Sequence, residues 1–198
     1  MQPENREKIL QAAIEAFADQ GYEGAAARAI AKKAGLTTMT MYYAFRDKDD
    51  LFKEALDEII KRSFDPGKFV LLLYEKQKNH APAGALLAAL QRWYSELPQS
   101  SARLLIYGYL SNNDRWRAMA HSALENFIIM LAATIAQLSP KKQKQKPDAT
   151  IASRALVRLL FEMKATSARS PSPQEVKEEA KEVEMLLNYW FRGLSLAT

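Results

Sequence analysis

Residues 37–48 carry side chains that suit contact with a polyanion such as nucleic acid. Hydroxyl, phenol and ammonium groups all occur in this short stretch, on Thr37, Thr38, Thr40, Tyr42, Tyr43 and Lys48. Each of these groups can donate a hydrogen bond to a phosphate oxygen, and the ammonium adds charge attraction. The groups can act together only if one element projects them from a single surface, so the surrounding helices decide whether a site exists.

Three short helices are predicted within the first 45 residues. Apolar residues recur at helical spacing over 5–20, and Gly21 follows them. A second helix over 26–34 is stopped by Gly35, and Thr37 can cap a third over 38–45. Two helices joined by a tight glycine-containing turn predict a helix-turn-helix, with 38–45 as the recognition helix.

The distribution of charge supports the same segment. The chain has 198 residues and a formal net charge of +5. Residues 24–48 carry five basic side chains and one acid, a net charge of +4, whereas the flanking stretches 1–23 and 49–64 are both net negative. The positive charge near the N-terminus is therefore concentrated on the predicted helix-turn-helix.

Composition predicts an all-α fold. The chain has 31 Ala and 24 Leu but only 4 Val, with 7 Gly and 8 Pro. The predicted helices after the first three cover residues 47–63, 68–79, 84–96, 100–111, 114–138, 149–168 and 173–195. Asp47, Asp114 and Ser172 are the predicted caps of three of them. A loop with four lysines, 141–146, separates two of the later helices.

The N-terminal sequence resembles the DNA-binding domain of TetR-family transcriptional regulators over roughly residues 5–55. The resemblance rests on Gly21-Tyr22, residues 30–37 (IAKKAGLT), residues 40–45 (TMYYAF), Lys48 and Leu51-Phe52. It implies a helix-turn-helix DNA-binding domain over 1–48, with 47–63 as the connecting helix. It also implies a larger helical domain over 49–198 for effector binding and dimerisation.

The resemblance and the chemistry of the side chains assign roles within the helix-turn-helix. Thr37, Tyr42 and Lys48 are expected to contact phosphates. Base reading is expected from the outward side of the recognition helix, at Thr38, Met39, Thr40 and Tyr43, and Arg28 adds a contact from the second helix.

Three departures from the family pattern make the recognition surface less cationic and more apolar. Ala25-Ala26-Ala27 stands where the family usually has a capping Thr or Ser, which leaves Gly24 as a weaker cap. Thr38-Met39 replaces a frequent Lys-Gly, and Tyr43-Ala44 departs from a frequent Tyr-His. Contacts of Met39 or Thr40 with thymine methyl groups are consistent with this surface.

The later helices supply candidates for effector binding and for dimerisation. An apolar or aromatic effector is expected among aromatic side chains of the middle helices, at Tyr94, Tyr107, Trp116 and His121. Apolar stripes on the last two helices predict a four-helix dimer interface that includes Leu156, Leu159, Leu160, Met163, Val183, Leu187, Trp190 and Phe191. Packing within one chain is the alternative explanation of both sets.

Composition argues against an enzyme and against a membrane protein. With no Cys and two widely separated His, no catalytic residues, metal site or cofactor are expected. The polar N-terminus is no signal peptide, and the longest nearly apolar run has 10 residues, so a cytoplasmic protein is expected.

Taken with the resemblance, these features predict a transcriptional repressor that binds a palindromic operator as a homodimer and is released by a small-molecule effector. A helical scaffold with a helix-turn-helix repurposed for protein binding is one alternative, and a helical enzyme is another.

Overall fold

The computed structural model describes residues 3–138, 148–167 and 171–194, and these ranges contain ten α-helices and no β-strand. The helices are α1 (Pro3–Gly24), α2 (Ala27–Lys33), α3 (Thr38–Ala44), α4 (Lys48–Ser63), α5 (Pro66–Lys76), α6 (Pro82–Glu96), α7 (Gln99–Leu110), α8 (Asp114–Leu138), α9 (Ala149–Thr166) and α10 (Pro173–Gly193). The predicted all-α fold is confirmed. The lysine loop 141–146 lies outside the described residues.

Three of the predicted helix starts are confirmed in atomic detail. The Thr37 hydroxyl accepts from the Thr40 backbone N–H at 3.1 Å, and the Asp47 carboxylate accepts from the Asp50 N–H at 2.7 Å. Ser172 and Glu175 form a reciprocal capping box at the start of α10. Each bond satisfies an amide that the helix itself leaves unpaired.

Two predicted caps are wrong by one or two positions. The side chain at the start of α8 is Asn113, whose amide oxygen accepts from the N–H groups of Arg115 and Trp116, while Asp114 is already inside the helix. The residue that precedes α2 is Ala26 rather than Gly24, and it makes no side-chain cap. Asn is as good a cap as Asp, so neighbouring polar residues could not be told apart by type.

The chain divides into two compact units. The first contains the residues up to Phe64 together with Pro98–Ala123, and the second contains Asp65–Leu97 and the residues from Leu124 onwards. This division reflects packing. The boundary between residues 48 and 49 separates the expected DNA-binding domain from the expected effector-binding domain, and it stays a prediction.

Aromatic side chains form the cores of both units. In the first unit, Phe52 packs against Phe17 and Trp116, with ring centroids 5.0 and 4.3 Å apart. In the second unit, Phe127 packs against Trp93 and Phe69, with centroids 4.8 and 5.2 Å apart. Such pairs add to the free energy gained from burying the rings.

Helix α8 contributes residues to both units. Among the described residues, it meets the length and hydropathy expected of a membrane-crossing helix. Its residues Phe127, Leu131 and Ile135 are nevertheless buried in the protein core. A core helix of a folded protein passes the same length and composition test, and the burial of these residues fits that description.

Candidate nucleic-acid interface and effector groove

Helix α3 presents an outward face rich in aromatic and sulfur-containing side chains. Met41 and the following Phe45 are fully buried and anchor the helix on the first unit. Met39 and Tyr43 are 69% and 77% exposed, and Tyr42 is 45% exposed. A seven-residue helix held by two buried side chains therefore exposes the residues expected to contact bases and phosphates.

The turn between α2 and α3 holds the two helices in a helix-turn-helix arrangement. Gly35 has a φ of 72°, a left-handed conformation that glycine adopts without steric cost. The Leu36 N–H donates to the Ala31 carbonyl at 2.9 Å, and the Gly35 N–H donates to the Lys32 carbonyl at 3.0 Å. These bonds close the end of α2, and buried Ile30 and Ala31 fix its inner face.

Hydroxyl groups at the start of α3 are already engaged with each other. Thr37 and Thr40 share a hydrogen bond of 2.9 Å between their hydroxyls, in addition to the backbone cap. Each hydroxyl oxygen has two lone pairs and a rotatable proton, so the pair is held in place but remains able to meet a phosphate or a base edge.

Tyr22 organises the start of α4, a role that sequence reasoning missed. Its phenol donates a hydrogen bond to Asp49, and the Lys48 ammonium lies 4.5 Å from the centroid of its ring. Lys48 also donates to the Glu23 carbonyl at 3.4 Å. Burial, followed by the bond to Asp49, raises the pKa of Tyr22, so the phenol stays protonated as a donor. The adjacent Gly21-Tyr22 pair was the available signal.

The basic side chains around the helix-turn-helix differ in how they are held. Lys33 forms an ion pair with Glu15 at 2.6 Å, and Arg46 forms one with Asp47 at 3.0 Å. Arg28 is exposed, and no ion pair within the described residues engages it. Arg28 is therefore available to a phosphate without first giving up a partner.

A groove of about 570 Å³ lies within the second unit, between α6 and α10. Tyr94, which is expected to bind the effector, lines this groove. Sequence reasoning missed its charged neighbours Lys164 and Glu179, because they come from α9 and α10 and meet Tyr94 only through the fold. Val176 and Val183 supply part of its apolar wall.

The other three residues expected to bind the effector belong to the first unit and pack there. Trp116 is buried against Tyr22 and Phe52, with centroids 4.8 and 4.3 Å away. His121 stacks on Tyr109 at 4.0 Å, and Tyr107 packs over Gly21. These contacts give the three residues packing roles within the first unit, and their part in an effector pocket with Tyr94 stays a prediction.

A polar triad lies on the wall of the groove. The Tyr94 hydroxyl donates to Glu179 at 2.6 Å, and Lys164 pairs with the same carboxylate at 3.4 Å. The Lys164 ammonium also lies 4.6 Å from the centroid of the Tyr94 ring. Burial, followed by the bond to Glu179, raises the pKa of Tyr94, so its hydroxyl stays a donor at neutral pH.

Most of the residues predicted to form the dimer interface serve packing within the chain. Five of the eight are buried, namely Leu156, Leu160, Val183, Leu187 and Phe191. Met163 and Trp190 are half-buried, and the Trp190 indole donates to the Ala152 carbonyl at 3.2 Å. Leu159 stays 40% exposed. The prediction is corrected for the five buried side chains, because the core of the second unit encloses them.

Five large apolar side chains on the described parts of α9 and α10 are exposed, and one of them, Leu159, belongs to the predicted set. They are Ile151 and Leu159 on α9, with Val176, Met185 and Tyr189 on α10, and their exposed fractions range from 40% to 70%. Helical spacing identified the apolar stripes, but it does not distinguish the inner from the outer edge of a wide stripe. Within the described residues, no group of three or more acidic, His or Cys side chains could hold a metal ion.

Known protein sequences match the N-terminal segment of this chain. A family model described as "Bacterial regulatory proteins, tetR family" matches residues 9–55. The fatty acid metabolism regulator protein of Bacillus subtilis is 39% identical over 59 residues, covering 28% of this chain and 30% of that protein. The regulator AcrR of Shigella flexneri is 43% identical over 51 residues, covering 26% of this chain and 24% of that protein. The matches span less than a third of either curated relative.

Comparison with solved structures extends over nearly the whole chain. A transcriptional regulator from Saccharomonospora viridis in complex with choline superposes with a TM-score of 0.72 at 22% identity, covering 95% of this chain and 97% of that one. FadR of Bacillus subtilis in complex with stearoyl-CoA gives 0.64 at 23% identity, covering 91% and 96%. At these identities the comparison establishes the fold.

Proposed function

We propose that this chain is a ligand-responsive transcriptional regulator, because residues 9–55 match the model of the tetR family of bacterial regulatory proteins and nearly the whole chain shares its fold with solved structures of regulators. It binds a palindromic operator as a homodimer in the cytoplasm and represses transcription by occupying the promoter. It performs no catalysis, which agrees with the regulatory role of its curated relatives.

The exposure of the recognition helix is the observation that carries this proposal. Met39 and Tyr43 leave most of their surface unburied, although both are large side chains on a helix that is otherwise anchored. The two residues are four positions apart and share one face of the helix, and exposed apolar side chains that group into a patch mark a binding surface. On DNA they would contact base edges and thymine methyl groups in the major groove, while Tyr42 and Lys48 would contact phosphates on either side.

Dimerisation follows from the geometry of recognition. One seven-residue helix reads few base pairs, so helix-turn-helix proteins bind paired half-sites about one turn of DNA apart. The exposed apolar side chains Ile151, Leu159, Met185 and Tyr189 are the proposed self-association surface. The exposed part of a stripe that already packs a core would then be covered by a second copy of the chain.

The groove beside Tyr94 is the proposed effector site. The two structural neighbours bind stearoyl-CoA and choline, which differ in size and charge, so the effector of this chain follows from its own groove rather than from the shared fold. Effector binding would release DNA if the effector prefers the conformation that binds DNA poorly.

A mobility-shift assay tests the proposal against its alternatives. Duplex DNA from upstream of the protein's own gene is titrated at two salt concentrations against a scrambled duplex of equal length. A regulator gives a discrete complex with the upstream DNA, and its affinity falls steeply as salt rises. A protein-binding scaffold or an enzyme gives no preference for either duplex, and that result would overturn the proposal.

A further inference from the structure

The groove between α6 and α10 already contains a cation in contact with an aromatic face and a carboxylate. Lys164 supplies this cation from α9, and its ammonium is 4.6 Å from the Tyr94 ring centroid and 3.4 Å from Glu179. The side chains of Lys164 and Glu179 are 14% and 20% exposed, and Tyr94 is 3% exposed. A partly desolvated ring face beside a carboxylate is the environment that binds alkylammonium groups in proteins.

We propose that this groove binds an organic cation, whose ammonium replaces that of Lys164 over the Tyr94 ring and against Glu179. The Lys164 side chain has four flexible methylene groups, so its ammonium can move to solvent when a ligand takes its position. Insofar as this cation is the effector, the inference rests on the proposed regulatory function.

The electrostatic surroundings of the groove favour a cationic ligand. Glu179 also lines a neighbouring cleft of about 320 Å³, together with Glu175, Glu178 and Glu182. On the other side of the groove, Arg92 is held by Glu96 at 2.8 Å and by Glu75 at 3.4 Å. Lys76 and Glu184 also line the groove. The linings of the groove and the cleft together contain five carboxylates against three cations, Lys76, Arg92 and Lys164, and the resulting negative potential attracts a positively charged ligand.

The apolar part of the groove defines the rest of the ligand. Val176, Ala180 and Val183 of α10 face the site, with Ala88 of α6 opposite. These small side chains leave a smooth wall suited to an alkyl or aryl substituent, while the polar triad fixes the charged end. The ligand class is accordingly an amphipathic amine or quaternary ammonium compound.

The experiment uses three probes that share one tail and differ in charge. Hexyltrimethylammonium, hexanol and hexanoate are titrated into the full-length protein and followed by calorimetry. The cation is expected to bind saturably at one site per chain, and the neutral and anionic probes at least about tenfold more weakly, a difference of about 1.4 kcal/mol. Preferential binding of hexanoate would reverse the assigned charge, and no saturable binding of the cation would overturn the inference.

Two substitutions separate a ligand site from a structural contact. Glu179→Gln keeps a hydrogen-bond acceptor for Tyr94 but removes the negative charge. It should lower the affinity for the cation about tenfold or more. Lys164→Met keeps the aliphatic packing and removes the internal competitor, so it should tighten cation binding several-fold. A structural role alone predicts no such gain. Weaker or unchanged binding to Lys164→Met would contradict the replacement.

Matched controls come from the exposed faces of the same region. Glu162→Gln on α9 and Lys177→Met on α10 change charge by the same amounts at exposed positions that do not line the groove, and both should leave cation binding unchanged. A thermal melt of each variant reports whether it folds.

The outcomes distinguish this inference from the proposed function. If the protein binds its operator specifically but does not bind the cation, the proposed cation site is overturned and the proposed regulatory function stands. If it binds the cation but has no affinity for an operator, the proposed regulatory function is overturned and the cation site stands. If both hold, hexyltrimethylammonium should weaken operator binding, and Lys164→Met should respond at a several-fold lower concentration.

Discussion

The Lys48 ammonium lies 4.5 Å from the centroid of the Tyr22 ring, on the side of the helix-turn-helix where α4 begins. Tyr22 is itself tied to Asp49 by its phenol and packed on Phe52. The ammonium is therefore positioned before any phosphate arrives, and part of the entropy cost of ordering its side chain is met in the free protein. Asp47, Asp49 and Asp50 lie at the start of α4 and offset the partial positive charge of the helix terminus, so the Lys48 ammonium is the group that would carry the predicted phosphate contact.

Replacing Lys48 should weaken DNA binding without changing sequence preference. Lys48→Met removes one phosphate contact, so operator and scrambled DNA should lose affinity by similar factors. The slope of log K against log salt should fall by about one unit. Fluorescence anisotropy at four salt concentrations measures both quantities. Lys177→Met, remote from the helix-turn-helix in sequence, is the control, and an unchanged slope in Lys48→Met would argue against the contact.

The two glycines with positive φ allow the cost of a strained backbone conformation to be separated from the cost of a clash with a neighbouring side chain. Gly21 has a φ of 69° and a ψ of 177°, and a Cβ there would lie 3.2 to 3.3 Å from the Tyr107 ring. Gly35 has a φ of 72° and open space around it. Both alanine variants should lose about 1 to 3 kcal/mol of unfolding free energy, with Gly21→Ala the more destabilised.

Urea unfolding monitored by circular dichroism checks this order. Gly193→Ala, at a glycine with normal φ and nothing within 4 Å, is the control and should be neutral or slightly stabilising. Equal losses at Gly21 and Gly35 would mean that Tyr107 yields to the added methyl group.

The uncapped start of α2 offers a stabilising substitution. Ala26 has φ −74° and ψ 130°, the extended conformation of a capping residue, but it has no side-chain acceptor. Ala26→Ser should supply that acceptor and raise the unfolding free energy by about 0.5 to 1 kcal/mol. Thr37→Ala, which removes the existing cap of α3, should lower it by a similar amount. Urea midpoints measure both, and a loss of stability in Ala26→Ser would contradict the assignment of Ala26 as the cap position.

The chain order of the helices could be predicted from the sequence because local chemistry determines it. Thr37, Asp47 and Ser172 each cap a helix by accepting from the backbone N–H three positions further along, and apolar spacing marks the other helices. The proposed effector site could not be predicted in the same way. Tyr94 meets Glu179 across 85 positions of sequence, and the same aromatic types at Trp116 and Tyr107 serve packing instead.

The predicted dimer interface illustrates the same limit of helical periodicity. Leu156 and Leu159 belong to one apolar stripe, yet the first is buried and the second is 40% exposed. The stripe is wider than the core requires, and only the packing of neighbouring helices identifies its outer edge.

A charge on the outer edge of that stripe should separate the protomers. Leu159→Lys places an ammonium in the proposed self-association surface, where a second copy would have to bury it opposite its symmetry mate. Sedimentation equilibrium at micromolar concentration should show a dimer for the unmodified protein and a monomer for the variant. Leu110→Lys, at an exposed leucine of α7, should stay dimeric. A dimeric Leu159→Lys would place the interface elsewhere.

Selection of binding sites from random duplex DNA shows whether the protein reads a specific sequence and whether α3 reads it. The full-length protein is used to enrich sequences over several rounds, and the enriched consensus is compared with that obtained by Tyr43→Ala. The unmodified protein should select a palindromic consensus that it binds at least about a thousandfold more tightly than scrambled DNA, and the variant should select a weaker or altered consensus. Enrichment of no sequence, or of the same consensus by both proteins, would contradict the assignment of α3 as the element that reads DNA.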